Sequence, residues 1–132
     1  MTNLETAIKN SETRFFKAVF PNTTNHYDTL FGGQTLHMMD EASFICATRF
    51  SRKKVVTVSS DRVDFNKPIP QGSIVELIAN VTRVGKTSCT VTVEVFMEDM
   101  YNYNREKVVN GSFTFVAIGE DKQPIPIFDG ED

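Results

Sequence analysis

Asn25, Gly32, Gly33 and Asp40 fall in one short stretch, NHYDTLFGGQTLHMMDEASF, at positions 25–44. Their types and order could do acyl-transfer chemistry. A carboxylate at Asp40 can orient or deprotonate water. Glycines permit a close backbone approach just before a helix. The first turn of that helix leaves N–H groups without intrahelical partners, and these can stabilise an oxygen as negative charge develops on it. A structural reading stands beside each of these. Asp40 can be a carboxylate at a subunit edge, bonded to backbone or to a neighbouring side chain. The Gly pair can serve packing, with the helix start capped by Asn25, Asp28, Thr29 or water. The stretch has neither the GxGxxG nor the GxxxxGK[ST] spacing of a nucleotide loop.

Other reactive groups are weaker candidates. His26 and His37 lack the HExxH spacing of a zinc site, and zinc needs more convergent ligands. His37 stands three residues before Asp40, which also fits an acid/base pair or an imidazole bridging core and solvent. Cys46 and Cys89 lie in apolar segments without a catalytic partner nearby and read as small core residues. Arg83, Lys86, Thr87 and Ser88 combine two cations with hydroxyl donors around Gly85, a chemistry that suits phosphate as well as a solvated turn. Ser59, Ser60 and Arg62 either line a pocket or end a strand. Lys67 and the run Arg52, Lys53, Lys54 could extend an anion-binding surface.

These residues need elements to place them. Leu36, Met39, Ala42 or Ser43, Cys46, Ala47 and Phe50 recur at helical spacing, which predicts a helix over about 33–50. Met38 and Ile45 widen its apolar surface, so a largely enclosed helix is expected. Asp40 shares a side with Leu36, His37, Phe44 and Ala47, while Glu41 points about 100 degrees away. RFFKAVF reads as a first strand ending at Pro21, and PNTTNHYD as a loop. VVTVSSDRVDF, IVELIANVTRV, TSCTVTVEVFME and KVVNGSFTFVAI read as four later strands. In the third of these, Cys89, Val91, Val93, Val95 and Met97 alternate with Thr90, Thr92, Glu94 and Phe96. RVGK is a compact hairpin and DMYNYNRE a longer turn. Short connections favour antiparallel pairing. A five-stranded curved antiparallel sheet around one helix follows, an α+β architecture, with an open two-layer sandwich as the simpler alternative. Residues 1–11 form a polar lead with a short helix at 3–9, and 121–132 form a tail expected to leave the sheet and lie along the surface.

With 132 residues, 40% of them hydrophobic, the chain is long enough for one domain with a sizeable core. Its net charge of -3 gives no basic field for nucleic acid. Two cysteines are too few for a disulfide framework. No apolar run approaches the roughly 20 residues of a membrane span, and the first residues lack a secretory apolar segment. A cytoplasmic location without integral membrane association is the expectation.

Taken in order, the segment from Asn25 through Gly32-Gly33 to Met39-Asp40 resembles the active-site segment of hotdog-fold acyl-CoA thioesterases, especially the YciA/cytosolic acyl-CoA hydrolase type. The resemblance continues through VVTV at 55–58, FNKPI at 65–69, GKTS at 85–88 and FTFVA at 113–117, and it covers roughly 12–120. It implies a hotdog domain over 12–120, a long helix wrapped by a curved sheet. It also implies a homodimer with sites between subunits, and a trimer of dimers as a further assembly. Asp40 then matches the helix carboxylate and Asn25 the catalytic loop amide. N–H groups of Gly33 and its neighbours Gly32 and Gln34 would hold the thioester oxygen. Arg83, Lys86, Thr87 and Ser88 would contact CoA, with Ser59, Ser60 and Arg62 as further contacts. The implied reaction hydrolyses acyl-CoA to a carboxylic acid and CoA without a serine nucleophile, a metal or a prosthetic group. Direct attack by water and an anhydride on Asp40 both fit. A noncatalytic acyl-CoA or nucleotide-binding hotdog protein is the alternative. Asp28 departs from the family pattern, which commonly has Gly at that loop position.

Overall fold

The structure is a computed structural model that describes residues 3–130. The outermost residues of the expected lead and tail, 1, 2, 131 and 132, lie outside the described residues. Helix α1 (Leu4–Asn10) starts at Asn3, whose side chain accepts the Thr6 N–H at 2.8 Å. Strand β1 (Thr13–Ala18), helix α2 (Gly32–Ser51) and strands β2 (Lys54–Ser60), β3 (Asp64–Phe65), β4 (Ser73–Val84), β5 (Ser88–Asp99) and β6 (Arg105–Ile118) follow. The strands form one antiparallel sheet in the order β1-β4-β5-β6-β2, with β3 also pairing to β6. Helix α2 crosses its concave side and touches β1, β2, β4, β5 and β6. This is the curved α+β arrangement expected, with six strands instead of five.

The extra strand comes from a break. The segment expected as one strand leaves the β6 ladder after Ser60 and rejoins it at Asp64. Gly111 explains the break physically. A Cβ there would stand 2.9 Å from Val63 Cγ2 and 3.3 Å from Met39 Cε, so Val63 and Met39 fill the space that a side chain would occupy. A bulge between Thr57 and Ser59 bends the same edge.

The core follows the two periodicities. Cys89, Val91, Val93 and Val95 of β5 are buried, and Thr90, Thr92, Glu94 and Phe96 are half-buried on the other face. Met97 keeps the core side, packing against the core opposite Val75, but is only half-buried near the end of the strand. On α2, Thr35, Met38, Met39, Ala42, Ser43, Cys46, Ala47 and Phe50 are buried. Small side chains in that row let the helix sit close to the sheet. The expected enclosure of α2 is corrected here: Leu36, Phe44 and Ile45 are 39%, 46% and 38% exposed. Apolar character all round the helix reflects one face on the sheet and a second face left open by this chain.

The loop before α2 is a short antiparallel turn. Asn25 N–H donates to Thr29 O at 2.8 Å and Asp28 N–H to Asn25 O at 3.0 Å. Asp28 takes φ 60, the left-handed conformation that glycine adopts without steric cost. Glycine, which the resemblance above leads one to expect at this position, would take that conformation freely. Asp adopts the conformation more readily than branched side chains do.

The tail leaves the sheet as expected but does not merely lie on the surface. Ile127 is fully buried, and Phe128 stacks on Phe50 with ring centroids 5.4 Å apart. Ile125 N–H donates to Ala117 O, Ile127 N–H donates to Lys86 O, and Lys53 Nζ reaches Pro126 O. A large aliphatic side chain in this segment therefore completes the core at the open end of α2. Truncation by Ile127→Ala is expected to cost about 2–5 kcal/mol, measured by urea unfolding. In the loop, Asp28→Val is expected to be about 1–2 kcal/mol less stable than Asp28→Gly in the same assay, because only the β-branched residue resists φ 60.

Candidate active site

Two structural units place the residues singled out in the sequence. One is the 25–29 turn, tied to the connection between β3 and β4 by Leu30 N–H to Ile69 O at 2.7 Å and Gln71 N–H to Asp28 O at 2.9 Å. Asn25 is half-buried there, and its Oδ1 accepts from the Tyr27 and Thr29 N–H groups and the Thr29 hydroxyl. The other is the start of α2. Phe31 holds the N-cap position, and its apolar side chain makes no capping bond. The first helical bond closes from Thr35 N–H to Phe31 O at 3.0 Å. Among the described residues, the N–H groups of Gly32, Gly33 and Gln34 have no partner, which removes Asn25, Asp28 and Thr29 as their caps.

The Gly pair now reads more sharply. Neither glycine has a positive φ. A Cβ on Gly33 would meet nothing within 4 Å, and one on Gly32 would only reach Phe65 Cε1 at 4.0 Å. Packing within this chain therefore does not require glycine at either position. Beside Gly32 opens a cavity of about 280 Å³ lined by Leu30, Thr35, Phe65, Ile69 and Val109, with Asn66 and Lys67 among its polar wall. Free donors thus adjoin a mainly apolar space, the layout of many small-ligand sites.

Asp40 lies on the outer face of α2. It is exposed, and among the described residues its carboxylate makes no hydrogen bond or ion pair. Its backbone oxygen accepts the Ser43 hydroxyl at 2.9 Å. Asp40 stands about 10 Å along the helix from Gly33 at 1.5 Å per residue. A group bound at the helix start is thus beyond hydrogen-bond reach of the same chain's carboxylate. Exposed apolar Leu36 and Phe44 flank it one turn away on α2, and Val56 and Val58 are exposed on the edge strand β2.

The cation and hydroxyl candidates divide into two groups. Arg83 and Ser88 line a cavity of about 230 Å³ at the β4–β5 turn, with Lys86 and Thr87 in the turn itself. Arg83 and Lys86 are exposed and have no carboxylate partner among the described residues. Ser59 and Ser60 lie exposed on β2, and Arg62 follows them with its Nε paired to Asp64 at 2.6 Å. Ser59, Ser60 and Arg62 do not line the cavity at the β4–β5 turn, but Ser59 pairs with Thr114 of β6, which does. Lys67 is paired with Glu106 at 2.8 Å. His26 packs on Tyr27, with ring centroids 3.9 Å apart, and His37 is exposed. Among the described residues, no group of three His, Cys, Asp or Glu side chains converges to hold a metal ion. Burial pushes the Cys46 thiol up and the Cys89 thiol up to about 12, so both are packing residues rather than nucleophiles.

Comparison with known proteins bears on these residues. A family model described as Thioesterase superfamily matches residues 27–103. An uncharacterized acyl-CoA thioester hydrolase of Bacillus subtilis, YkhA, is 40% identical over 124 residues, covering 88% of this chain and 72% of that one. VdlD of Helicobacter pylori is 36% identical, with 83% of this chain covered, and the chain spans only 62% of its length. Among solved structures, an acyl-CoA hydrolase of Bacillus cereus superposes with a TM-score of 0.88 at 35% identity, covering 90% of this chain and 73% of that one. An acyl-CoA hydrolase of Staphylococcus aureus, solved with butyryl-CoA, CoA and CoA disulfide, gives 0.86 at 34% identity over 90% and 73% of the two chains. A hexameric acyl-CoA thioesterase gives 0.87 at 34% identity over 90% and 76%.

Alanine variants of the S. aureus enzyme were made at an Asn, an Asp and a Thr whose mutual spacing is that of Asn25, Asp40 and Thr57 here. Thr57 was not singled out in the sequence. A threonine in an alternating strand carries no local signal, but it sits exposed on β2 beside the bulge. The curved sheet around α2, the matched segment and the shared spacing agree: the chain is a hotdog-fold member of the Thioesterase superfamily, alongside acyl-CoA thioester hydrolases.

Proposed function

We propose that this chain hydrolyses acyl-CoA thioesters to a carboxylic acid and CoA, at a site built by two copies of the chain. The observation that carries the reading is the start of α2, where among the described residues three successive N–H groups are unpartnered and the first, on Gly32, borders an apolar cavity. Gly32, Gly33 and Gln34 offer those donors to the thioester oxygen, and the acyl chain enters the cavity beside Gly32. The donors matter most when the carbonyl becomes tetrahedral and its oxygen gains charge. The expelled sulfur leaves as CoA thiolate and takes up a proton.

Asp40 orients the attacking water and removes its proton. Distance supports a carboxylate supplied by the second copy, since the chain's own Asp40 lies about 10 Å from its helix start. Exposed Leu36 and Phe44 beside Asp40 on α2, and exposed Val56 and Val58 on β2, suit burial against that copy. Strand β2 forms a sheet edge over 54–60, which can continue the sheet across a two-fold axis. A homodimer is the minimal assembly, and a trimer of dimers is the larger form suggested by the hexameric relative. Thr57, on that edge, is assigned to the same shared site.

CoA lies along the β4–β5 turn. Arg83 and Lys86 are free to meet its phosphates, and Thr87 and Ser88 supply hydroxyls. Ser59, Ser60 and Arg62 lie on the β2 edge and would meet CoA from the facing copy. CoA belongs to the substrate and product, and no metal or prosthetic group takes part. No helix among the described residues is long and apolar enough to cross a membrane. A cytoplasmic location fits the substrate.

The test is turnover of a panel of acyl-CoA chain lengths by wild type and Asp40→Asn. Wild type should release CoA thiol. Asp40→Asn should lower kcat by about 10²–10⁴-fold, the usual contribution of a general base, with an unchanged Tm because no partner within the chain is lost. Unchanged kcat would remove Asp40 from the mechanism. Arg83→Ala is expected to raise KM for acyl-CoA by about 10-fold, measured by initial rates, while leaving kcat within about 2-fold.

A further inference from the structure

The Asn25 amide is held with its oxygen fully engaged. Oδ1 accepts from Tyr27 N–H at 2.9 Å, from Thr29 N–H at 3.2 Å and from the Thr29 hydroxyl at 3.1 Å. An amide oxygen has two lone pairs, so three donors leave it no capacity for a further ligand. Two of the donors are backbone N–H groups, which fixes the orientation of the amide. Turning the NH2 toward them would set donor against donor. Nδ2 is therefore the free end, and among the described residues it has no hydrogen-bond partner.

We infer that Asn25 serves the reaction only as a hydrogen-bond donor, through Nδ2 to the thioester oxygen, and that Thr29 is the positioning residue that holds it in that role. The inference rests on the thioesterase reading above. Its chemistry follows from what each reactant needs. An attacking water must give a proton to its base and keep a lone pair for the carbonyl carbon. A donor on that lone pair would block attack, and one on the water's second lone pair would still draw electron density from the nucleophile. The carbonyl oxygen gains charge in the same step and is better stabilised by each added donor. An amide whose only free group is N–H matches the oxygen. The Thr29 hydroxyl comes from the same turn, and Thr29 also lines the cavity beside Gly32, so turn and cavity share one wall.

Four substitutions, two at Asn25 and two at Thr29, separate this assignment from a merely structural role. Asn25→Asp keeps an oxygen acceptor for all three donors but loses the N–H. Its Tm should be no lower than that of wild type, while kcat falls by about 10²–10³-fold, as for removal of one oxyanion donor. A retained kcat in Asn25→Asp, with Asn25→Ala impaired, would overturn the donor assignment alone. Thr29→Val keeps shape and the backbone bond but loses the hydroxyl. It should lower kcat by about 3–10-fold with KM unchanged, and Thr29→Ser should recover wild-type kcat to within about 2-fold. Wild-type kcat in Thr29→Val, or equal loss in Thr29→Val and Thr29→Ser, would overturn the positioning role. Full activity in Asn25→Ala, or no hydrolysis of any acyl-CoA by wild type, would instead overturn the catalytic reading on which the inference rests. Initial rates with butyryl-CoA and with longer acyl-CoAs, beside thermal unfolding of each variant, give all these readouts.

Discussion

The rotational setting of α2 against the sheet governs what the rest of the chain can do. Met39, Ala42, Cys46 and Ala47 are completely buried on one side of the helix. Their packing against the concave face fixes the opposite side within a few tens of degrees, because interior side chains are close-packed and sit in defined rotamers. Asp40 lies about 100 degrees round the helix from Met39, at the rim of the buried face, and is exposed. Leu36 and Phe44, one turn to either side, are exposed as well. The small side chains of that row and the missing side chain at Gly111 allow the close approach. A bulkier residue at either place would shift the helix and with it both the carboxylate and the N-terminal donors.

That setting leaves two unfinished features on one helix. Among the described residues its N-terminal N–H groups are not capped, and its exposed side carries the unpaired Asp40 carboxylate with apolar Leu36 and Phe44. Water can satisfy both polar features, so neither is a cost by itself. The function proposed above gives each a use, the donors for a substrate oxygen and the apolar side chains for contact with a second copy. The 25–29 turn contributes in a different way. Its own bonds consume the Asn25 oxygen and leave the amide hydrogens, so local folding decides the chemistry that the side chain can offer.

Much of this was legible in the sequence. Alternation in β5 and the three-four spacing of α2 placed the central strand and the helix, because both elements bury one regular face. The break at 61–63 was not legible, since it depends on Gly111, far away in sequence, meeting Val63. Ile127 escaped for a similar reason: a single aliphatic residue amid prolines and acids has no period to announce burial. Periodicity alone encloses Leu36 and Ile45, because composition cannot tell a core face from an exposed apolar one. In the candidate site, Asn25, the Gly pair and Asp40 stood out by type and order. Thr57 did not, and neither did Thr29 as the partner of Asn25, because their significance lies in contacts and in comparison with relatives.

The central claim is that Asn25 and Asp40 of different copies meet at one substrate. Subunit complementation tests it most directly. Asn25→Asp and Asp40→Asn proteins, each nearly inactive alone, are unfolded together, refolded as a mixture and assayed with an acyl-CoA. Random pairing in dimers gives half mixed dimers, in each of which one of the two sites is intact, so the mixture should recover about a quarter of wild-type activity. A mixture no more active than its components, with mixed dimers verified by mass, would contradict a site shared between copies.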